Sequence, residues 1–123
     1  MKNKNILIVE DDKDILYLYA FKLRAKGFDV RTAENGQEGL NECYKLTPDL
    51  ILVDLFMPVM DGVALISKLR AEQKFAHLPI VVLTNVNKAE APHELRFMRI
   101  ESYVLKAHTT PTQLASIVHG LLT

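Results

Sequence analysis

The chain has 123 residues, enough for one domain, and 49% of them are hydrophobic, which is ample for a buried core. Its 15 basic and 15 acidic residues give zero formal net charge, so the overall balance favours neither nucleic acid nor a membrane surface as a partner. The single cysteine, Cys43, excludes an internal disulfide and is expected to be a small core residue. No apolar run has the length of a membrane span, and no signal-peptide core follows Met1, so the expected location is the cytoplasm.

Five short apolar runs predict five β-strands. Most of them are continuously apolar, which is typical of strands that are covered on both faces. Residues 28–33 instead alternate polar and apolar side chains and predict a half-exposed strand at an edge of the sheet. The predicted strands cover residues 5–10, 28–33, 49–54, 80–84 and 102–106.

Helical spacing of apolar residues between these strands predicts five α-helices. The segment for the fourth contains Pro92, which is tolerated only in a first helical turn. This helix either starts late, near Ala91, or spans about ten residues with Pro92 in its first turn. The expected inner face of the second helix consists of Leu40, Cys43, Tyr44 and Leu46. The helices are expected at residues 12–26, between Asn35 and Pro48, after Asp61-Gly62, within 85–99 and from Thr109 or Thr110 onward.

Strands that alternate with helices in this way predict an α/β fold, with a doubly wound, five-stranded parallel sheet and five helices on its two faces. The edge character of residues 28–33 favours the flavodoxin-like strand order 2-1-3-4-5. The chain contains no linker, low-complexity tract or repeat, so residues 1–123 are expected to form one domain without an output domain.

Acidic residues follow two of the predicted strands. The third strand runs into Asp54, and the first runs into Glu10, Asp11 and Asp12, of which Asp12 is expected to cap the first helix. Neighbouring parallel strands finish on the same edge of a sheet, so these carboxylates should gather in one pocket. There they repel one another unless a cation joins them. An all-oxygen set without Cys or His suits Mg²⁺ or Mn²⁺.

Two further strand ends add polar groups to this edge. The fourth strand ends at Thr84 and the fifth runs into Lys106. Together with the acid pair and the run D-x-x-M-P-x-M-D-G that starts at Asp54, these residues resemble the receiver domain of a two-component response regulator. The resemblance covers the whole chain and is to the single-domain, chemotaxis-regulator-like type.

The resemblance implies a phosphorylation site. Asp54 matches the aspartate that accepts a phosphoryl group from a phosphohistidine on a sensor histidine kinase or a phosphotransfer protein. Asp11 matches the acid that binds Mg²⁺ directly, Glu10 matches its companion, and the backbone carbonyl of Phe56 is expected to supply another ligand. The expected oligomeric state is a monomer or a weak phosphorylation-dependent dimer.

The resemblance also implies a switch and a lifetime for the phosphorylated form. Lys106 matches the lysine that offsets charge at the site, and the Thr84 hydroxyl can donate to a phosphoryl oxygen. Movement of Thr84 vacates space that the Tyr103 side chain can fill. This change alters the surface of the fourth helix, fifth strand and fifth helix, which an unknown downstream partner binds. The alternative interpretation of Tyr103 is an ordinary interfacial aromatic residue at a strand end. Phe56 and Val86 flank the path of the hydrolytic water in the family. Both are apolar here, so we expect slow autodephosphorylation. The resemblance also implies that the domain catalyses its own phosphorylation and is not an enzyme with turnover.

One feature departs from the family pattern, and others speak against two alternative classes of protein. Ala107 follows Lys106 where the family commonly has a proline in a cis peptide, and a cis bond before alanine costs about 2.5–4 kcal/mol, which leaves the path of this loop open.

A Mg²⁺-dependent phosphohydrolase of the haloacid dehalogenase type would need a second Asp in place of Phe56. A phosphorylation-independent interaction module would lack an acid, the acceptor or the lysine, and this chain retains them all. The histidines, expected at the surface rather than as metal ligands, are His77, His93, His108 and His119.

Overall fold

A computed structural model describes residues 3–123. Its strands are β1 Asn5–Val9, β2 Asp29–Ala33, β3 Leu50–Val53, β4 Ile80–Thr84 and β5 Ser102–Leu105. All adjacent pairs are parallel and the order is β2-β1-β3-β4-β5, so the predicted flavodoxin-like topology is confirmed. The half-exposed strand β2 lies at an edge, and the four residues of β3 are fully buried in the middle of the sheet.

Four α-helices cover the two faces of this sheet. They are α1 Lys13–Ala25, α2 Gly36–Lys45, α3 Gly62–Ala71 and α4 Pro111–Leu122. Helices α2 and α3 pack together on one face, and α1 and α4 pack together on the other, each pair over its own apolar core. The central strands are continuously apolar because both of their faces are covered. No helix within residues 3–123 is long and apolar enough to cross a membrane.

Side chains cap the helices at the positions that the sequence predicts. Asp12 accepts hydrogen bonds from two backbone N–H groups in the first turn of α1, which confirms it as a cap. Asn35 accepts from the Glu38 N–H at 2.9 Å. At the start of α4, Thr110 and not Thr109 is the cap, and it forms a reciprocal capping box with Gln113.

The prediction of an α-helix between β4 and β5, the fourth of the five expected, was wrong. This segment contains two short 3₁₀ turns, Lys88–Glu90 and His93–Phe97, and no α-helix. Ala91 lies between them in an extended conformation, with φ −65° and ψ 151°. A residue that precedes a proline is pushed out of the helical region, and Pro92 has no N–H with which to continue a helix. Ala91 and Pro92 therefore separate the two turns, and neither predicted alternative, a late start near Ala91 or a helix with Pro92 in its first turn, is present.

The inner face predicted for α2 is partly wrong. Leu40 and Cys43 are buried as expected, and burial raises the pKa of the Cys43 thiol to about 11. Tyr44 is instead 49% exposed, because its hydroxyl donates to the Glu72 carboxylate at the end of α3. Leu46 is 56% exposed, because it lies beyond the last helical residue in an extended conformation.

Candidate functional site

Strand register brings the predicted site residues to one rim of the sheet. Val9 of β1 pairs with Val53 of β3, so the residues that follow them, Glu10 and Asp54, lie side by side. The Asp54 N–H donates to the Val9 carbonyl at 3.1 Å and fixes this arrangement. Thr84 pairs with Leu105, the residue before Lys106. The carboxyl ends of four strands thus present their polar residues to a common space.

Three carboxylates meet at this rim. Glu10, Asp11 and Asp54 each offer an oxygen, and these oxygens lie within 4.8 Å of one another. Glu10 and Asp54 are 1% and 7% exposed, whereas Asp11 is open to solvent. The acidic pocket thus combines two buried carboxylates with one that is open to solvent.

Lys106 reaches into the same pocket. Its Nζ lies 3.2 Å from Asp54 Oδ2 and forms an ion pair with Glu10 Oε1, and its side chain is only 9% exposed. The chain reaches this position with a trans peptide between Lys106 and Ala107, since the described residues contain no cis peptide. The loop therefore keeps the Lys106 ammonium beside the two acids, although alanine follows it where the family commonly has proline.

The pocket shifts the pKa values of two of its members. Burial raises the pKa of Glu10 to about 7, and the Asp54 charge adds to this rise, although hydrogen bonds from Lys106 and from the Asp12 N–H oppose it. Burial lowers the pKa of Lys106, but its hydrogen bond to Glu10 and the charge of Asp54 outweigh this and raise it overall. Near neutral pH the Glu10 carboxyl group therefore titrates between its protonated and ionised forms, whereas Lys106 remains a charged ammonium.

The donor set fits a hard divalent cation. All candidate ligands are oxygens, which Mg²⁺ and Mn²⁺ prefer. Glu10 Oε1 is buried, lacks a hydrogen bond of normal geometry and has only the Lys106 ammonium as a counter-charge. With Glu10 ionised, three carboxylates and one ammonium leave two negative charges, which one divalent cation neutralises. Among residues 3–123 no histidine belongs to this cluster, and all four histidines are exposed, as predicted.

A chain of hydrogen bonds links the end of β4 to β5. Thr84 is buried, and its Oγ1 accepts a hydrogen bond from the Val86 N–H at 3.4 Å. The Tyr103 hydroxyl donates to the Val86 carbonyl, so its ring lies against the segment that follows β4. Phe56, at the other side of the rim, is 57% exposed. The roles assigned to Thr84, Tyr103, Phe56 and Val86 stay predictions.

Gly62 has a role that the sequence analysis missed. A Cβ at this position would overlap the Asp54 carbonyl oxygen and would lie 2.8 Å from Leu55 Cα. The Gly62 N–H donates to the Leu55 carbonyl at 2.9 Å, so the start of α3 is held against the backbone of the acceptor residue. The Asp-Gly pair indicates a turn, but only the tertiary structure reveals this close approach.

A strained turn precedes Gly62. Val59 has φ 67°, a conformation that is costly for a β-branched side chain, and its side chain is 82% exposed. The Met60 N–H donates to the Pro58 carbonyl at 2.7 Å across this turn. The loop after Asp54 is therefore held both by backbone hydrogen bonds and by the packing of Leu55, Met57 and Met60 on the core.

The fold and this rim define a flavodoxin-like α/β protein with an acidic, cation-compatible pocket and an adjacent lysine. A family model, the response regulator receiver domain, matches residues 6–119. The chain therefore belongs to the response regulator receiver domain family of two-component signalling.

Relatives and solved structures agree with this assignment. The chain is 32% identical over 121 residues to hybrid signal transduction histidine kinase D of Dictyostelium discoideum, covering 95% of this chain and 8% of that protein. It is 40% identical over 82 residues to the alkaline phosphatase synthesis transcriptional regulatory protein PhoP of Bacillus subtilis, covering 67% of this chain and 33% of that protein. This chain thus corresponds to a minor part of the length of both relatives.

Two solved structures are similar over nearly the whole chain. The chemotaxis response regulator CheY4 of Vibrio cholerae superposes with a TM-score of 0.89 at 26% identity, covering 98% of this chain and 100% of that one. The response regulator protein TrrA of Thermotoga maritima, solved in complex with Mg²⁺ and BeF, superposes with a TM-score of 0.83 at 28% identity, covering 97% of this chain and 99% of that one.

Proposed function

We propose that this receiver domain accepts a phosphoryl group on Asp54 from a phosphohistidine of a histidine kinase or phosphotransfer protein, in the presence of Mg²⁺ or Mn²⁺. The observation that best supports this proposal is the meeting of Glu10, Asp11 and Asp54 with the Lys106 ammonium at the carboxyl edge of the sheet. Family membership and the Mg²⁺–BeF complex of TrrA support it independently. The proposal places the reaction in the cytoplasm.

The proposed reaction is a phosphoryl transfer between two protein side chains. An Asp54 carboxylate oxygen forms a bond to phosphorus while the phosphorus–nitrogen bond of the phosphohistidine breaks. The electron pair of that bond goes to the imidazole nitrogen, which then takes a proton from solvent. The product is an acyl phosphate on Asp54, with roughly one more negative charge than the free carboxylate. Positioning and charge stabilisation are the main contributions that a protein makes to such a step.

Each residue of the pocket has a distinct task in this proposal. Lys106 is held near Asp54 and offsets the charge that transfer adds, and Thr84 donates its hydroxyl to a phosphoryl oxygen. Glu10, Asp11, Asp54 and the Phe56 carbonyl would hold the cation. When bound, Mg²⁺ supplies charge neutralisation and orients the phosphoryl oxygens. Because each phosphoryl transfer modifies Asp54 itself, the domain acts as a switch and not as an enzyme with turnover.

Intact mass spectrometry tests the proposal. The protein is incubated with phosphoramidate or acetyl phosphate and Mg²⁺, with a chelator in the matched control. We expect the mass of one phosphoryl group to be added with Mg²⁺ and no addition with the chelator. Equal incorporation in both samples, or no incorporation in either, would contradict the proposal.

The affinity for Mg²⁺ should depend on pH through Glu10. Its pKa lies at about 7 in the folded, metal-free protein. A bound proton must leave before the carboxylate can face a cation, so the affinity should fall up to about tenfold for each pH unit below that value and level off above it. Because the folded pKa lies above the unfolded one, the same group makes the metal-free fold less stable as pH rises from its ordinary pKa of 4.5 to about 7.

Calorimetric Mg²⁺ titrations at several pH values measure this effect. The Glu10→Gln variant, which removes the titrating group, should show a much flatter profile. The Glu34→Gln variant, at an exposed site on the surface, should behave like the unmodified protein. A wild-type affinity that is constant across the pH range would contradict the prediction.

The phosphorylated form should be long-lived. Neither Phe56 nor Val86 can orient a hydrolytic water through a polar side chain, so a half-life well beyond seconds in Mg²⁺ is expected. Phe56→Asn, which adds a polar group beside the pocket, should shorten the half-life by about tenfold or more. Leu46→Asn is a matched control, because Leu46 is 56% exposed against 57% for Phe56 and lies beyond α2. A wild-type half-life of seconds would contradict this prediction.

A further inference from the structure

The first turn of helix α2 contacts the loop that follows the acceptor residue. The Gly36 N–H, at the first helical position of α2, donates to the Met60 carbonyl at 2.9 Å. The first N–H groups of a helix have no partner within the helix and carry partial positive charge, so a carbonyl oxygen is a favourable partner for them. This bond joins α2 to the loop of residues 54–62, although the three carboxylates of the acidic pocket all lie outside α2.

This contact requires glycine at position 36. A Cβ on Gly36 would overlap the Met60 carbonyl oxygen and would lie 2.9 Å from the Met60 carbonyl carbon. Both are backbone atoms, which cannot rotate away as the end of a flexible side chain can. Gly36 is buried and does not have a positive φ, so the requirement comes from the close approach and not from the backbone conformation.

The Met60 carbonyl directly follows a strained turn. Val59 has φ 67°, and the hydrogen bond from the Met60 N–H to the Pro58 carbonyl, at 2.7 Å, closes a three-residue γ-turn around it. The Val59 side chain is largely exposed, so it adds little packing to stabilise this conformation. Such a turn persists only where its surroundings hold it. The hydrogen bond from Gly36 is one of the contacts that hold this turn.

The other end of the loop lies against the acceptor residue. Two positions after Met60, Gly62 is so close to Asp54 that a Cβ would overlap the Asp54 carbonyl oxygen. The Gly62 N–H also donates to the Leu55 carbonyl at 2.9 Å. A continuous series of backbone contacts thus runs from the first turn of α2, through Met60 and Gly62, to Asp54.

We propose that Gly36 is a positioning residue for the acidic pocket. Through Met60 and Gly62, it holds the Asp54 carboxylate beside the other two acids of the pocket. The inference rests on the proposed function, because it assigns this geometry to cation binding and phosphoryl transfer. By linkage, a contact that strengthens cation binding must itself be strengthened when the cation binds.

Calorimetric Mg²⁺ titration of the full-length Gly36→Ala variant tests the proposal. The added Cβ displaces the Met60 carbonyl, so the Kd for Mg²⁺ should rise by about fivefold or more. Val118→Ala is the control, because Val118 is buried in the core on the opposite face of the sheet and its loss lowers stability without touching this loop. Its Kd should stay within about twofold of the wild-type value. An unchanged Kd in Gly36→Ala, or an equal rise in Val118→Ala, would overturn the proposal.

Hydrogen exchange of the unmodified protein tests the same contact if Gly36→Ala does not fold. With saturating Mg²⁺, the Gly36 amide should exchange about fivefold or more slowly than without it, because the coupling is reciprocal. The Gln113 amide is the control, since it lies in the first turn of α4 and donates to the Thr110 hydroxyl at 3.1 Å. Its exchange should change by less than about twofold. Equal slowing at both amides, or none at Gly36, would overturn the proposal.

The outcomes distinguish this inference from the proposed function. A wild-type protein that neither binds Mg²⁺ nor gains a phosphoryl group would contradict the proposed function itself. A wild-type protein that does both, with the same Mg²⁺ affinity in Gly36→Ala, would contradict only the positioning role of Gly36.

Discussion

The Asp54→Asn variant is expected to incorporate no phosphoryl group under conditions in which the wild type gains one. Asparagine keeps the shape of the side chain but has no carboxylate oxygen to form the bond to phosphorus. The fold should persist, because the Asp54 N–H still joins β3 to β1 and Lys106 keeps Glu10 as an ion-pair partner. Intact mass spectrometry measures incorporation, and denaturant unfolding measures the fold.

A second aspartate on the same loop provides the matched control. Asp61 caps α3 by accepting a hydrogen bond from the Ala64 N–H at 2.8 Å. Asparagine is an equally good cap, so Asp61→Asn should change neither the fold nor phosphorylation by much. Incorporation that persists in Asp54→Asn, or that is lost in Asp61→Asn instead, would assign the acceptor to another residue and contradict the account.

The Gly62→Ala variant is expected to lose about 3 kcal/mol of unfolding free energy, at the upper end of overpacking effects. The added Cβ overlaps the Asp54 carbonyl oxygen, which is backbone and is fixed by the parallel pairing of β3. Relief requires either the start of α3 or the acceptor residue to move. Phosphorylation should therefore slow in the molecules that remain folded, since small misplacements of reacting groups are costly.

Gly120→Ala is the control for this substitution. Gly120 lies inside α4, and a Cβ there meets no atom within 4 Å. Alanine favours helix by about 0.8–1.0 kcal/mol relative to glycine, so this variant should be more stable than the wild type and equally active. Urea unfolding compares both variants with the wild type. Similar effects of the two substitutions would show that Gly62 has no special contact.

The sheet and its acidic rim were predictable because they depend on strong local signals. Continuous apolar runs specify buried strands, and alternation in β2 specifies an edge, so the strand order follows. Parallel strands finish on one edge, which brings Glu10, Asp54 and Lys106 together without any knowledge of loops. The caps at Asp12 and Thr110 follow from local hydrogen-bond chemistry in the same way.

Features that depend on tertiary contacts were not predictable. Helical periodicity in residues 85–99 suggests a helix, but the segment forms two 3₁₀ turns that the extended Ala91-Pro92 pair separates. Arg70 donates hydrogen bonds to the carbonyls of Phe75 and Leu78 and to that of Arg99, which holds together segments that are distant in sequence. No local pattern marks an arginine for this use.

The electrostatic state of the pocket also depends on the assembled structure. Burial raises the pKa of Glu10, and burial is a property of the packed sheet rather than of the motif. Lys106 contacts Glu10 as well as Asp54, so the ammonium lies between two carboxylates. Sequence analysis identifies these groups but not how they share protons and charge.

Chemical mapping of the phosphorylated residue tests the central claim most directly. Borohydride reduces an aspartyl phosphate to homoserine, which peptide mass spectrometry locates in the chain. The account predicts homoserine at position 54 and nowhere else, in samples treated with phosphoramidate and Mg²⁺ and not in samples with a chelator. Homoserine at another aspartate, or a phosphoryl group retained on one of the histidines with position 54 unmodified, would contradict it.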